Sequence, residues 1–292
     1  MQPFASLIEL LQARVRDGGE QTAFLWQDRP WSHRELCTAL ESCAGQFLGL
    51  GLPPGMPLLL ALPNGPEFFA AFFGAQRAGL VPVPLCPDSG SERLADIARH
   101  ARTRALVVAP DQLARRREEL EAGSLLVLTP ELRGPAPAAE RLHQPAAEDL
   151  CLVQYTSGST RFPRGVMITQ KAVLNNLFAI LKYGIQIRPA DRAVSWLPYF
   201  HDMGLVGLVL SPMAAQISVD YLNTRDFAMR PRLWLTLMSQ NRGTLSFSPP
   251  FGYELAARRV RNDEVDKLDL SAWRIAGVGA EPIRTEPLKR FA

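Results

Sequence analysis

Short runs of wholly apolar residues, set between stretches with helical spacing, place the strongest limit on how this chain can fold. Leu58-Leu59-Leu60-Ala61-Leu62, Ala105 to Ala109, Leu125 to Leu128 and Leu150 to Val153 contain no charged or hydroxyl side chain. Runs this short read as strands buried on both faces, which occurs where helices cover both sides of a parallel sheet. The intervening segments differ. Phe68 to Arg77 is apolar on most sides, and Leu94, Ile97, Ala98 and Ala101 keep the spacing of one helix face. Alternating strand and helix predicts mainly parallel sheets joined by right-handed crossovers.

Local signals set the expected boundaries. Helices are predicted over 5–17 and 33–50, with a hairpin between them at 22–26 and 29–32 and Ser32 as the second helix's cap. Asn64 is placed to cap the next helix, with Pro66 in its first turn, and Ser89 with Glu92 forms a capping-box pattern further on. Prolines at 82, 84 and 87 make the segment from Leu80 to Leu85 an edge strand or an extended stretch. Residues 130–148 lose the rhythm, so the chain is expected to divide into 1–130, a connection at 131–149, and 150–292. The second part restarts with strands at 150–155, 193–197, 217–222, 244–248 and 273–278. Its helices are expected at 170–183, 203–215, 231–240 and 251–261. The last residues read as the inside of a helix begun after Pro282, and helices usually end on a glycine or proline stop, so a truncated polypeptide is expected.

Composition excludes several classes. With 292 residues, 47% hydrophobic, 21% charged and a net charge of +3, the chain suits a globular protein with a sizeable core. Arg115-Arg116-Arg117 runs at once into Glu118-Glu119, which marks a solvated helix face rather than a nucleic-acid patch. Cys37, Cys43, Cys86 and Cys151 lack zinc-site spacing and read as buried free thiols of a reducing compartment. No secretory leader is visible at Met1-Gln2-Pro3-Phe4, and the apolar segment Gly204 to Val219 is broken by Pro212 and too short for a membrane span. A cytoplasmic location is expected.

Four stretches carry chemistry. Between Gln154 and Gly165 lie the hydroxyls of Thr156, Ser157, Ser159 and Thr160, the glycines 158 and 165, the guanidiniums of Arg161 and Arg164, and no acid. Such a loop suits a polyanion, because amides and hydroxyls donate, glycines permit close approach and arginines bind bidentately. It is not a Walker A loop, and Ser/Gly/Thr clusters between strands are more often simple turns. In Trp196-Leu197-Pro198-Tyr199-Phe200-His201-Asp202-Met203-Gly204, His201 falls at a strand's C-terminal end before an apolar helix. Open α/β sheets bind ligands at such ends, although a lone histidine is more often structural. Trp273 to Pro282 reads as a strand entering a tight turn, and Ser246 to Ala256, with Pro250, Phe251 and Tyr253, suits core packing and ligand lining equally.

Taken together, Tyr-Thr-Ser-Gly-Ser-Thr followed by Pro163-Arg164-Gly165-Val166, the Leu-Pro-aromatic-His-Asp-Met-Gly stretch, the 246–256 segment and Gly279-Ala280-Glu281-Pro282 resemble the motifs of the adenylate-forming enzymes. The likeness is strongest to fatty acyl-AMP ligases and long-chain acyl-CoA synthetases, in family order and over nearly the whole chain. It implies an α/β fold of two stacked, mainly parallel subdomains, the N-terminal part of an acyl-adenylate synthetase. It also implies ATP and Mg²⁺ as cofactors and a medium- or long-chain fatty acid as substrate, converted to acyl-AMP with release of pyrophosphate. By the resemblance, Thr156, Ser157, Gly158, Ser159, Thr160, Arg161 and Arg164 hold phosphates. His201 lies near the α-phosphate and the carboxylate, with Asp202, Met203, Gly204, Pro250, Phe251 and Tyr253 on the substrate side, and Gly279, Ala280, Glu281 and Pro282 lie against adenine. Arg161 replaces a glycine common in CoA synthetases, as is usual in the fatty acyl-AMP branch, and Arg164 stands where most members have lysine. The family's later motifs, among them a C-terminal catalytic lysine, have no counterpart here, so these 292 residues alone are expected to be inactive. An acyl carrier protein or CoA is the candidate acceptor. The competing readings are a non-catalytic nucleotide- or acyl-binding remnant and an interaction module; a serine hydrolase is disfavoured by the lack of a G-x-S-x-G elbow.

Overall fold

The apolar runs become strands; those at 58–62 and 105–109 have no solvent-facing side, whereas Leu126 in the run at 125–128 is half exposed. The computed structural model describes residues 4–122, 125–156 and 164–292. In chain order the strands are β1 (Thr22–Trp26), β2 (Arg29–Ser32), β3 (Pro57–Ala61), β4 (Val81–Pro84), β5 (Ala105–Val108) and β6 (Leu126–Leu128). They continue with β7 (Leu150–Tyr155), β8 (Gly165–Thr169), β9 (Ala193–Ser195), β10 (Val219–Tyr221), β11 (Leu245–Ser248) and β12 (Ile275–Val278). The chain packs as two units, and both are α/β. One comprises the described residues of Met1–Gln21 and Ser32–Asn176, the other Thr22–Trp31 and Leu177–Ala292. This grouping does not follow the expected boundaries: the hairpin at 22–31 lies with the later half, and β7 and β8 lie with the earlier one.

In the first unit, four strands pair in the order β4-β3-β5-β6, all parallel, with Leu59 opposite both Val83 and Leu106. β4 lies at the edge, where Pro82 and Pro84 leave no needed ladder donor missing. Leu59, Val83, Leu106 and Val108 pack with Leu94, Ile97 and Leu120 from the helices and with Val153 from β7. The helix Pro66–Arg77 buries Phe68, Phe69, Phe72 and Phe73, in keeping with its apolar circumference. Ser32 caps its helix as expected, and does so in a capping box with Glu35. Two other caps differ. Gly65, not Asn64, is the N-cap of Pro66–Arg77, and Gly90 precedes Ser91–His100 without any side-chain bond from Ser89. Cys43 and Cys151 are buried while Cys37 and Cys86 are only half-buried; desolvation pushes the Cys43 thiol up to about 12.

In the second unit, six strands run in the order β12-β11-β9-β10-β1-β2 among the described residues. The first five are mutually parallel, with Ser246 opposite Ala276, Leu245 opposite Ala193 and Phe24 opposite Val219. Trp196 lies flat on Phe227 with ring centroids 3.7 Å apart, and the Trp234 indole donates to Ser246 Oγ at 2.8 Å. A short helix at Thr224–Met229, absent from the sequence expectation, supplies Phe227.

At the N-terminal edge of this sheet, Asp191 accepts from Arg274 Nη2 at 2.6 Å, from Thr244 Oγ1 at 2.8 Å and from the Arg188 N–H at 2.7 Å. Beside it Arg192 forks onto Asp220 at 2.7 and 2.8 Å. Burial opposes ionisation of Asp191, but these hydrogen bonds and the Arg274 charge outweigh it and hold the carboxyl below its usual range. The ionised form therefore contributes stability at and above the ordinary carboxylate pKa of about 4, and loses it as pH falls through the lower, folded value. The urea midpoint should drop between about pH 5 and about pH 3, and by less in Asp191→Asn; identical drops would remove Asp191 from the account.

Candidate functional site

Each unit contributes its own motif residues. In the first, β7 pairs antiparallel with β8, Tyr155 opposite Gly165 and Val153 opposite Met167. A strand is expected at β7; β8 is not among the expected strands, and its Val166 and Met167 are exposed. Gly165 is required where the hairpin closes: a methyl there would come within 2.8 Å of Val153 Cγ1 and 3.2 Å of the Tyr155 ring. The Thr156 N–H donates to the Arg164 carbonyl at 3.1 Å, so this amide is engaged in closing the loop rather than free for a ligand. The side chains of Thr156 and Arg164 are both exposed, and among the described residues the Arg164 guanidinium has no partner. Tyr155 directs its hydroxyl to His100 Nδ1 at 2.7 Å, and burial raises its pKa. Ser157, Gly158, Ser159, Thr160 and Arg161 lie outside the described residues.

In the second unit, three motif segments leave adjacent parallel strands at the same sheet edge: 196–204 after β9, 249–253 after β11 and 279–282 after β12. The C-terminal edge of such a sheet gathers loops that can address one ligand. His201 is exposed, its ring 4.7 Å from that of Phe200, and among the described residues its ring nitrogens have no hydrogen-bond partner. Its backbone N–H donates to the Pro198 carbonyl at 3.2 Å and its carbonyl accepts from Leu205 at 2.7 Å, which fixes the turn. Asp202 caps the following helix by accepting from the Met203 N–H at 2.8 Å. Gly204 is buried where any Cβ would collide with the Pro198 carbonyl oxygen, so the tight turn presenting His201 demands glycine. Met203 reaches across to the neighbouring loop, its Cε 3.6 Å from where a Cβ at Gly279 would stand.

Glu281 has a local task that sequence inspection missed. Its Oε1 accepts from the Phe251 N–H at 3.0 Å, in the first turn of the helix Pro250–Arg259, and so satisfies a donor that no helical carbonyl reaches. Ala280, at φ 67°, makes the left-handed bend that brings the carboxylate round. Tyr253 is 2% exposed and donates to the Gly277 carbonyl at 2.7 Å, anchoring the end of β12 from inside. Pro250 is likewise buried, whereas Phe251 is half-exposed and packs edge-on to Trp196 at 5.7 Å. The structure thus separates Phe251, which has a free face, from Tyr253 and Pro250, which support it. A solvent-facing imidazole, an exposed aromatic ring and a glycine-opened turn on one edge can receive a planar or apolar group together with an anion. Among the described residues no cluster of three or more His, Cys, Asp or Glu could hold a metal, and no helix is long and apolar enough to cross a membrane.

A family model described as AMP-binding enzyme matches residues 11–292. A long-chain-fatty-acid–AMP ligase of Mycobacterium marinum is 35% identical, over 98% of this chain and 52% of its own length. A solved chain from work on fatty acyl-adenylate ligases of E. coli and L. pneumophila superposes with a TM-score of 0.88 at 43% identity, covering 99% of this chain and 53% of that one. A fatty acyl-adenylate ligase from L. pneumophila, solved with acyl adenylate and pyrophosphate, gives a TM-score of 0.88 at 26% identity over 98% and 51%. The chain spans about half the length of the curated relatives it matches.

Proposed function

We propose, from the premise that this chain belongs to the AMP-binding enzyme family, that the longer protein activates a medium- or long-chain fatty acid. A carboxylate oxygen attacks the α-phosphorus of ATP, the bond to the bridging oxygen breaks, and acyl-AMP and pyrophosphate result. The observation that carries this reading is the convergence of 196–204, 249–253 and 279–282 on one edge of parallel strands, where the His201 ring nitrogens have no hydrogen-bond partner among the described residues.

The residues present suit a nucleotide triphosphate. Arg164 and Thr156, both exposed, are joined through their backbones at the end of the β7–β8 hairpin, and Ser157 to Arg161 would complete the phosphate contacts. Gly279 to Pro282 would border adenine. His201 would donate to the reacting carboxylate or α-phosphate, with Asp202, Met203 and Gly204 fixing the turn, and Phe251 would meet the acyl chain with Pro250 and Tyr253 behind it. Such a site works by positioning and charge stabilisation rather than covalent chemistry. Mg²⁺, when bound, would neutralise phosphate charge and be held mainly by phosphates and water. The product would pass to a carrier protein or CoA.

ATP–pyrophosphate exchange by the full-length protein, across a panel of medium- and long-chain fatty acids, tests the proposal. Exchange dependent on a fatty acid is expected. ATP binding without exchange for any acid would overturn it in favour of a non-catalytic nucleotide-binding protein.

A further inference from the structure

A hydroxyl outside the expected motifs grips the segment that carries them. The apolar stretch after His201 does not wind as the expected α-helix: Met203–Leu210 is π-helical and only Ser211–Ala215 is α-helical. Pro212 explains the change. It has no N–H, so the α-helical donor for the Leu208 carbonyl does not exist, and its ring crowds that carbonyl. Tyr221, at the end of β10, donates to this same carbonyl, its Oη 2.6 Å from the Leu208 oxygen in the core. Ser211 Oγ adds a second bond, 2.8 Å to the Val206 carbonyl. Burial keeps the Tyr221 phenol protonated, as a donor must be.

The same ring also touches the chain before the motif turn. It packs edge-on to Tyr199 with centroids 5.1 Å apart, and Tyr199 stands two residues ahead of His201. Tyr221 therefore holds the turn from both sides, through Tyr199 before His201 and Leu208 after Gly204. An ordinary core tyrosine would satisfy its hydroxyl on any nearby carbonyl. Here the acceptor is a carbonyl that Pro212 deprives of its α-helical donor, in a π-helical winding of the kind that collects at functional sites.

We infer that Tyr221 is a positioning residue: its hydroxyl fixes the π-wound segment 203–210 and so sets where His201, Met203 and Gly204 meet a bound carboxylic acid. The inference rests on the acyl-adenylate reading above. In the full-length protein, Tyr221→Phe should speed amide hydrogen exchange within 203–210 and raise KM for the fatty acid about tenfold, the scale of one lost buried hydrogen bond, with KM for ATP unchanged. A smaller folded fraction lowers kcat but cannot move KM. Should Tyr221→Phe fail to fold, Ser211→Ala carries the same test, with an expected rise of about threefold. An unchanged fatty-acid KM in the variant that folds would overturn the inference, whatever happens to exchange protection. If the unaltered protein shows no fatty-acid-dependent exchange, the acyl-adenylate reading has failed, and the inference falls with it for a reason distinct from its own.

Discussion

Replacing Asp191 with alanine is expected to lower the unfolding free energy by about 3–5 kcal/mol, the range for removing one partner of a buried, hydrogen-bonded ion pair. Asp191 and Arg274 expose 3% and 20% of their side chains, so the guanidinium left behind would sit largely away from water without a counter-charge. Arg274 also donates to the Ile185 carbonyl at 3.2 Å, and Thr244 would keep only its longer bond to the Arg192 carbonyl at 3.3 Å, so the damage spreads from the loop before β9 to the starts of β11 and β12. Asp111 makes an instructive contrast. Its bond to Arg115 is also 2.6 Å, but both side chains are about 70% exposed, and Asp111→Ala should cost no more than about 1 kcal/mol. Urea unfolding of the two variants decides the matter; equal losses would mean that burial is not what gives the Asp191 pair its weight.

The sheet architecture was legible because burial on both faces leaves a compositional trace. The apolar runs at 58–62, 105–109 and 150–153 became β3, β5 and β7 almost residue for residue. β8 left no such trace, since its exposed Val166 and Met167 pair with β7 across one ladder instead of entering a core. The division into units was hidden for another reason. β1 pairs in parallel with β10, about two hundred residues later, and no local pattern announces a partner so remote. Of the candidate site, His201 and Gly204 were visible from their motif, and the structure supplies the steric reason for the glycine. Glu281 reads as part of a ligand-facing turn; its carboxylate also caps the helix that follows the neighbouring strand, a role that depends on β11 and β12 being adjacent. Tyr221 gave no signal at all: Val219-Asp220-Tyr221 reads simply as a buried strand, and its bond to Leu208 depends on a π winding that residue spacing does not announce.

Gly204→Ala is expected to depress fatty-acid-dependent ATP–pyrophosphate exchange by the full-length protein at least about 10²-fold, the cost of displacing a reacting group by roughly an ångström. The added methyl runs into one backbone carbonyl, the Pro198 oxygen and, at 2.9 Å, its carbon, so no side-chain rotation can relieve it. Either the 198–201 turn opens or the π-wound segment moves off, and both carry His201, whose carbonyl bonds Leu205 and whose N–H bonds Pro198. Gly207, three residues on, is the matched control: a Cβ there meets nothing within 4 Å, so Gly207→Ala adds the same methyl to the same segment without a collision. Gly207→Ala should retain exchange within a few-fold of the unaltered protein and, as expected for glycine replaced by alanine within a helical segment, should not destabilise it. If Gly204→Ala matched Gly207→Ala in exchange while remaining folded, the turn at 198–204 would not be what places the imidazole, and the proposed site on the C-terminal edge of β9 would have to be abandoned.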